Sequence, residues 1–147
     1  MLVVVVQHAE KERDAGDPGL TPRGRDQAQR IADALGAEPV DVFLCSPLRR
    51  TRETAAPLAR RLGREPVLDD RLVERMNWDG AIPLHEFVAE WDATTTDRDT
   101  VPRIGESSRA AGARFAALVR ELGRSPGQRC VLVARRRHRR WPANTRG

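Results

Sequence analysis

Residues 2–6, a leucine and four consecutive valines, constrain this chain more than any other segment. A continuous β-branched run bounded by polar residues reads as a strand buried on both faces, the pattern of a parallel sheet rather than of a half-exposed antiparallel one. Gln7-His8-Ala9-Glu10 follows at once. Open α/β sheets bind their ligands just beyond the carboxyl ends of their strands, so His8 stands in a position suited to chemistry. Taken alone, His8 reads more readily as a polar loop residue, and the later segments reverse that preference.

The remaining segments alternate between helical and strand patterns. After a charged, glycine-rich loop, Thr21-Pro22 predicts a helix start, with Thr as N-cap and Pro at the first helical position. That helix runs to about Leu35, carries Ala28, Ile31, Ala32 and Leu35 on one face, and ends at Gly36. Residues 40–45 read as a second buried strand. Ser46-Pro47 opens a second helix by the same logic, running to about Leu62 and stopped by Gly63. Residues 66–72 read as a short extended piece, 71–80 as a loop, 83–91 as a short helix and 92–105 as an irregular polar stretch. Ser107 or Ser108 caps a long helix to about Leu122, striped by Ala111, Phe115, Leu118, Val119 and Leu122, and Arg129–Ala134 is the last strand. This order implies a mostly parallel sheet flanked by helices.

The length of 147 residues suits one domain with a real core. No stretch approaches the roughly 20 apolar residues of a membrane span, and the opening run has no basic start of the signal-peptide kind. Cys45 and Cys130 fall inside predicted strands as small buried hydrophobes, so a reducing, cytoplasmic setting is the expectation. The net charge of +5 is unevenly placed: residues 135–147 hold six arginines and no acid, leaving 20 basic against 21 acidic residues in 1–134. Residues 135–147 therefore read as a basic, disordered tail. With Trp141 as its one aromatic residue, it is poorly equipped to stack bases, and nucleic-acid binding ranks last among the readings.

Four segments, in order, resemble the histidine phosphatase superfamily, the phosphoglycerate-mutase-like group. Gln7-His8-Ala9 stands where the family has Arg-His-Gly. Asp17-Pro18-Gly19-Leu20-Thr21 with Gly24 resembles its first helix opening, and Ser46-Pro47-Leu48-Arg49-Arg50-Thr51-Arg52-Glu53-Thr54-Ala55 resembles its second. Leu72-Val73-Glu74-Arg75 and Gly105-Glu106-Ser107 resemble its acid/base segment and the turn before its long helix. The resemblance implies a three-layer α/β/α sandwich over residues 1–134, lacking the family's final helix and strand.

It also implies a two-step phosphoryl transfer from a phosphate monoester or phosphoprotein, with no cofactor or metal. His8 is then the nucleophile that becomes phosphohistidine. Arg50, in the first turn of its helix, is a phosphate-binding arginine whose planar guanidinium can clamp two oxygens. Glu74 is the proton donor to the leaving oxygen and later the base for water, a role that calls for a raised pKa. As residues alone, Glu74 reads equally as an ordinary loop carboxylate, Arg75 and Trp78 as shapers of the substrate mouth or, for Trp78, as core, and His85 as structural or exposed. Mutase activity ranks below phosphatase activity.

Two departures from the family pattern predict impaired activity. Gln7 occupies a phosphate-binding position yet brings no charge, and loss of one preorganised charged donor costs about 2–4 kcal/mol of transition-state stabilisation. Lys11 or Arg13 on the adjacent loop are candidate replacements. The family's second histidine, in a Ser/Thr-His-Gly-Gly segment, is absent after the last strand, where His138 is a displaced candidate within an arginine run. That abrupt loss of patterning is also what an out-of-frame reading of GC-rich DNA produces. A relative that keeps the fold and phosphate binding without catalysis is the alternative reading.

Overall fold

The computed structural model describes residues 1–135. Strand β1 covers Leu2–Gln7, β2 Val42–Cys45, β3 Val67–Leu68 and β4 Arg129–Ala134. They form one sheet in the order β1-β4-β2-β3, with every neighbouring pair parallel. The last strand thus enters the middle of the sheet, and its residues 130–134 are all buried. Helices α1 (Pro22–Leu35), α2 (Arg49–Leu62), α3 (Leu84–Thr96) and α4 (Ser108–Leu122) make up the rest of the regular structure.

Strand alternation sorts the core into two layers. Val6, Phe43, Cys45, Val131 and Val133 face one side and pack on Ala32 of α1 and on Ala55, Leu58 and Ala59 of α2. Leu132 and Ala134 face the other side and meet Leu118 of α4 and Leu72, with Val3, Leu44, Phe115 and Leu122 around them. The result is the three-layer α/β/α sandwich with a parallel sheet that the resemblance implied. Both cysteines lie buried in strands as free thiols, as the sequence pattern predicts. Among the described residues, no helix is long and apolar enough to cross a membrane.

Several element boundaries differ from the sequence reading. α2 begins at Arg49, and its N-cap Leu48 makes no side-chain capping bond; the cap comes from a distant loop, where the Asp17 carboxylate accepts the Arg49 N–H at 2.8 Å. Residues 66–72 are extended only at β3, because Asp69 accepts the Arg71 N–H and turns Asp70–Leu72 into a single 3-10 turn. α3 continues to Thr96, five residues beyond the predicted end. Its last turns are held by tertiary partners: Ser108 Oγ donates to the Thr94 carbonyl, and the Arg75 guanidinium donates to the hydroxyls of Thr94 and Thr95. From residue 136 onward the expected tail, His138 included, lies outside the described residues.

Candidate active site

The carboxyl ends of β1 and β4 position the site. Their register pairs Gln7 with Ala134, so His8 and Arg135 leave the sheet side by side, and the His8 N–H donates to the Ala134 carbonyl at 3.0 Å. His8 Nδ1 lies 2.8 Å from the Ala9 carbonyl. A carbonyl can only accept, so Nδ1 carries a proton and Nε2 is the ring nitrogen turned to the site. There it meets Glu74 Oε1 at 3.2 Å.

The same carboxylate oxygen receives Arg50. This second residue of α2 is fully buried, with Nε 3.1 Å and Nη2 2.9 Å from Glu74 Oε1. Nη2 also donates to Asn77 Oδ1 at 3.1 Å, while Asn77 Nδ2 donates to the Gly16 carbonyl at 2.7 Å. Arg50 Nη1 approaches Asp17 Oδ1 to 3.7 Å but makes no hydrogen bond. The other Glu74 oxygen accepts from Arg135 Nη1 at 2.7 Å. One carboxylate thus gathers one imidazole and two guanidiniums.

Glu74 owes its place to its flanks: Leu72 and Met76, two residues to either side, are both buried. Burial by itself would raise the Glu74 pKa, but the His8 contact and the Arg135 and Arg50 charges outweigh it and bring it down to about 2. This corrects the expectation of a raised pKa for Glu74. A raised value needs desolvation to prevail, and here the His8 hydrogen bond and two guanidinium cations outweigh it.

Backbone clips hold these parts in register. Thr54 of α2 accepts the Ala9 N–H at 2.9 Å and donates to the Arg50 carbonyl at 2.7 Å, linking the turn that follows His8 to the helix that carries Arg50. Gly24 lets α1 approach the same turn, for a Cβ there would fall 2.0 Å from the Glu10 carbonyl oxygen. Gly105, at φ +97°, makes a similar approach to the Arg75 carbonyl, which accepts the Glu106 N–H.

A cleft of about 790 Å³ opens from Glu74 between β1 and α4, lined among others by Gln7, Arg75, Trp91, Phe115 and Arg135. The guanidiniums of Arg75 and Arg135 lie 4.1 and 4.0 Å from the centre of the Trp91 ring. Val5, on the apolar side of the cleft, remains 44% exposed. Among the described residues no group of three His, Cys, Asp or Glu side chains is placed to hold a metal ion.

Of the four site residues read from the sequence, the structure brings His8, Arg50 and Glu74 into direct contact and places Gln7 on the wall of the adjoining cleft. Lys11 is close enough that burial and then the Arg50 charge push its ammonium below the ordinary value, although Nζ donates to the Glu12 carbonyl. Arg13 and His85 are exposed, and Trp78 Nε1 donates to the Ile82 carbonyl. Sequence reasoning missed Asn77, which carried no signal. It also missed Arg135, whose signal lay in the strand end at Ala134: residues that follow neighbouring parallel strands emerge along one edge.

Comparison with known proteins places these features in context. A family model described as the histidine phosphatase superfamily (branch 1) matches residues 3–138. The chain is 39% identical over 79 residues to phosphoserine phosphatase 1 of Hydrogenobacter thermophilus, covering 49% of this chain and 37% of that protein. It is 31% identical over 149 aligned residues to the probable phosphoglycerate mutase GpmB of Photorhabdus laumondii, covering 90% of this chain and 68% of that one. A solved mycobacterial glucosyl-3-phosphoglycerate phosphatase in complex with inorganic phosphate superposes with a TM-score of 0.72 at 31% identity, covering 88% of this chain and 70% of that chain. The chain therefore spans little more than a third of the first of these relatives.

Proposed function

Because this chain belongs to the histidine phosphatase superfamily (branch 1), we propose that it hydrolyses a phosphate monoester in two steps through His8. The observation that carries this reading is the convergence of His8 Nε2 and Arg50 on a single Glu74 oxygen. Donors that gather around one carboxylate can gather around a phosphoryl group in its place.

In the first step, as the ester enters, the proton between His8 Nε2 and Glu74 settles on the carboxyl. The freed Nε2 lone pair forms a bond to phosphorus as the ester P–O bond breaks. The Glu74 carboxyl gives its proton to the departing alkoxide oxygen. In the second, a water oxygen attacks the phosphohistidine, Glu74 takes the water proton, and the N–P bond breaks to release inorganic phosphate. Glu74 then holds the water proton, and its return to His8 Nε2 restores the starting state. Glu74 begins as an anion, and the entering ester is what makes it an acid. A phosphate dianion that takes over the His8 and Arg50 donors removes the cations that hold the Glu74 pKa down and sets a like charge beside it.

The test is incubation of the full chain with phosphoserine or p-nitrophenyl phosphate, followed by mass spectrometry for acid-labile phosphohistidine and by an assay for released phosphate. Phosphate on His8, absent after His8→Ala, supports the reading; its absence from the parent chain under turnover conditions overturns it. Transfer to added phosphoglycerate without phosphate release would assign a mutase instead. Phosphate binding without turnover has its own support: Gln7 brings no charge, and two arginines share the would-be acid. That reading expects phosphate to bind and no phosphohistidine to form.

A further inference from the structure

We propose that Arg135 is a phosphate-binding residue of this site, taking phosphoryl oxygens jointly with Arg50 and supplying the cation that Gln7 does not. The proposal rests on the phosphoryl-transfer reading for its ligand, but it is argued from the surroundings of Arg135.

The first observation is placement. β4 delivers Arg135 beside His8 through the pairing of Gln7 with Ala134. Its Nη1 reaches one Glu74 oxygen at 2.7 Å, while His8 and Arg50 meet on the other. A single carboxyl group separates the two guanidiniums, so an anion that enters between them contacts both.

The second observation is unbalanced charge. Arg135 and Arg75 both lie over the Trp91 ring, which gives two cations one aromatic platform. The Arg75 donors go to the hydroxyls of Thr94 and Thr95 and to the Trp91 carbonyl, none of which carries charge. Among the described residues, Glu74 is the carboxylate that Arg135 pairs with, and Arg50 draws on the same group. Three arginines thus gather about Glu74, and among the described residues their one further carboxylate contact is the longer approach of Asp17 to Arg50 at 3.7 Å. Such a cluster favours a further anion, and a guanidinium suits a phosphate by its planar pair of donors.

The third observation is access. The Arg135 side chain is 30% exposed at the mouth of the cleft, whereas Arg50 is fully buried. Arg135 can follow an entering phosphate without unpacking the core. Lys11 is the weaker candidate for the same duty, because its ammonium is turned to the Glu12 carbonyl.

The test is calorimetric titration of inorganic phosphate into the full chain and into Arg135→Gln, Arg135→Ala and Arg135→Lys, with Arg50→Ala as reference. A charge-assisted hydrogen bond lost from an anion site weakens binding by about 10- to 100-fold. That loss is expected for the Gln and Ala variants, with Lys recovering part of it and the ligand-free melting temperatures staying close to the parent's. Phosphate affinity within about twofold of the parent in Arg135→Gln, alongside loss in Arg50→Ala, overturns the proposal. So does an equal loss in all three Arg135 variants that tracks a fall in melting temperature, since a structural role would produce it. Phosphate binding is read here without turnover. Absence of phosphohistidine from the parent would remove the hydrolase reading and leave this result standing.

Discussion

Arg50 stands 2.9 Å from Glu74 Oε1, and neither side chain is open to solvent: Arg50 is fully buried and the Glu74 side chain is 4% exposed. A buried guanidinium without an anion is costly, so in the free protein Glu74 serves the fold by neutralising Arg50. In the proposed reaction it must give up that service to handle a proton. A single carboxylate is asked to be both structural counter-ion and acid, and the first two predictions separate those roles.

Replacing Glu74 by Gln leaves the buried Arg50 charge with only the longer Asp17 carboxylate contact at 3.7 Å. Breaking a buried pair in this way costs about 3–5 kcal/mol. Urea unfolding should show that loss, and added phosphate should restore part of it, because the anion then binds donors that no carboxylate contests. Tighter phosphate binding together with a fall of about a hundredfold or more in hydrolysis is the expected split. Weaker phosphate binding in Glu74→Gln would mean that Glu74 organises the pocket rather than competing for it.

Acid should erode stability over a defined window. The Glu74 pKa is lowered from 4.5 to about 2 in the folded chain, so between those values the unfolded state binds a proton that the folded state refuses. The stabilisation is fully present above about pH 4.5 and is lost as the pH falls through about 2, at about 1.4 kcal/mol per pH unit for this one group. Unfolding free energies measured between pH 5 and 2 in parent and Glu74→Gln should differ in slope over this range. Parallel curves would show that Glu74 is not held ionised.

Thr54 should matter more than its size suggests. Thr54→Val keeps the shape, removes the acceptor for the Ala9 N–H and leaves that buried donor unpaired, at a cost of about 1–3 kcal/mol. It also uncouples the turn after His8 from α2, so catalysis should fall further than phosphate affinity. Equal losses in both would place the role of Thr54 in folding alone.

Gly24→Ala is expected to be the more damaging change to α1, although Ala is the better helix former. Its Cβ would lie 2.0 Å from the Glu10 carbonyl oxygen, so either the helix or the turn that follows His8 must move. Overpacking of this kind costs about 1–3 kcal/mol. A rise in melting temperature would show that the turn yields freely.

Much of the scaffold was legible because its signals are local. The valine run, Thr21-Pro22, Gly36, Ser107 and the apolar stretch ending at Ala134 each act within a few residues, and β1, α1, α4 and β4 lie where those signals put them. The start of α2 was misplaced because its cap comes from Asp17, 32 residues away. The end of α3 was misplaced because Ser108 and Arg75 hold it from tertiary positions.

By itself, then, the sequence determined a parallel α/β sandwich and the presence of His8, Arg50 and Glu74 at strand and helix ends suited to a site. Periodicity and capping are short-range effects that an ordered chain carries wherever it goes. Only the tertiary structure decided that β4 enters beside β1, which sets Arg135 next to His8, and that Asn77 bridges Arg50 to the Gly16 carbonyl. It alone decided that two guanidiniums and an imidazole meet on Glu74. The charge state of a buried carboxyl is set by whichever groups the fold brings within a few ångströms of it, and those groups lie up to 66 residues away along the chain, from His8 to Glu74.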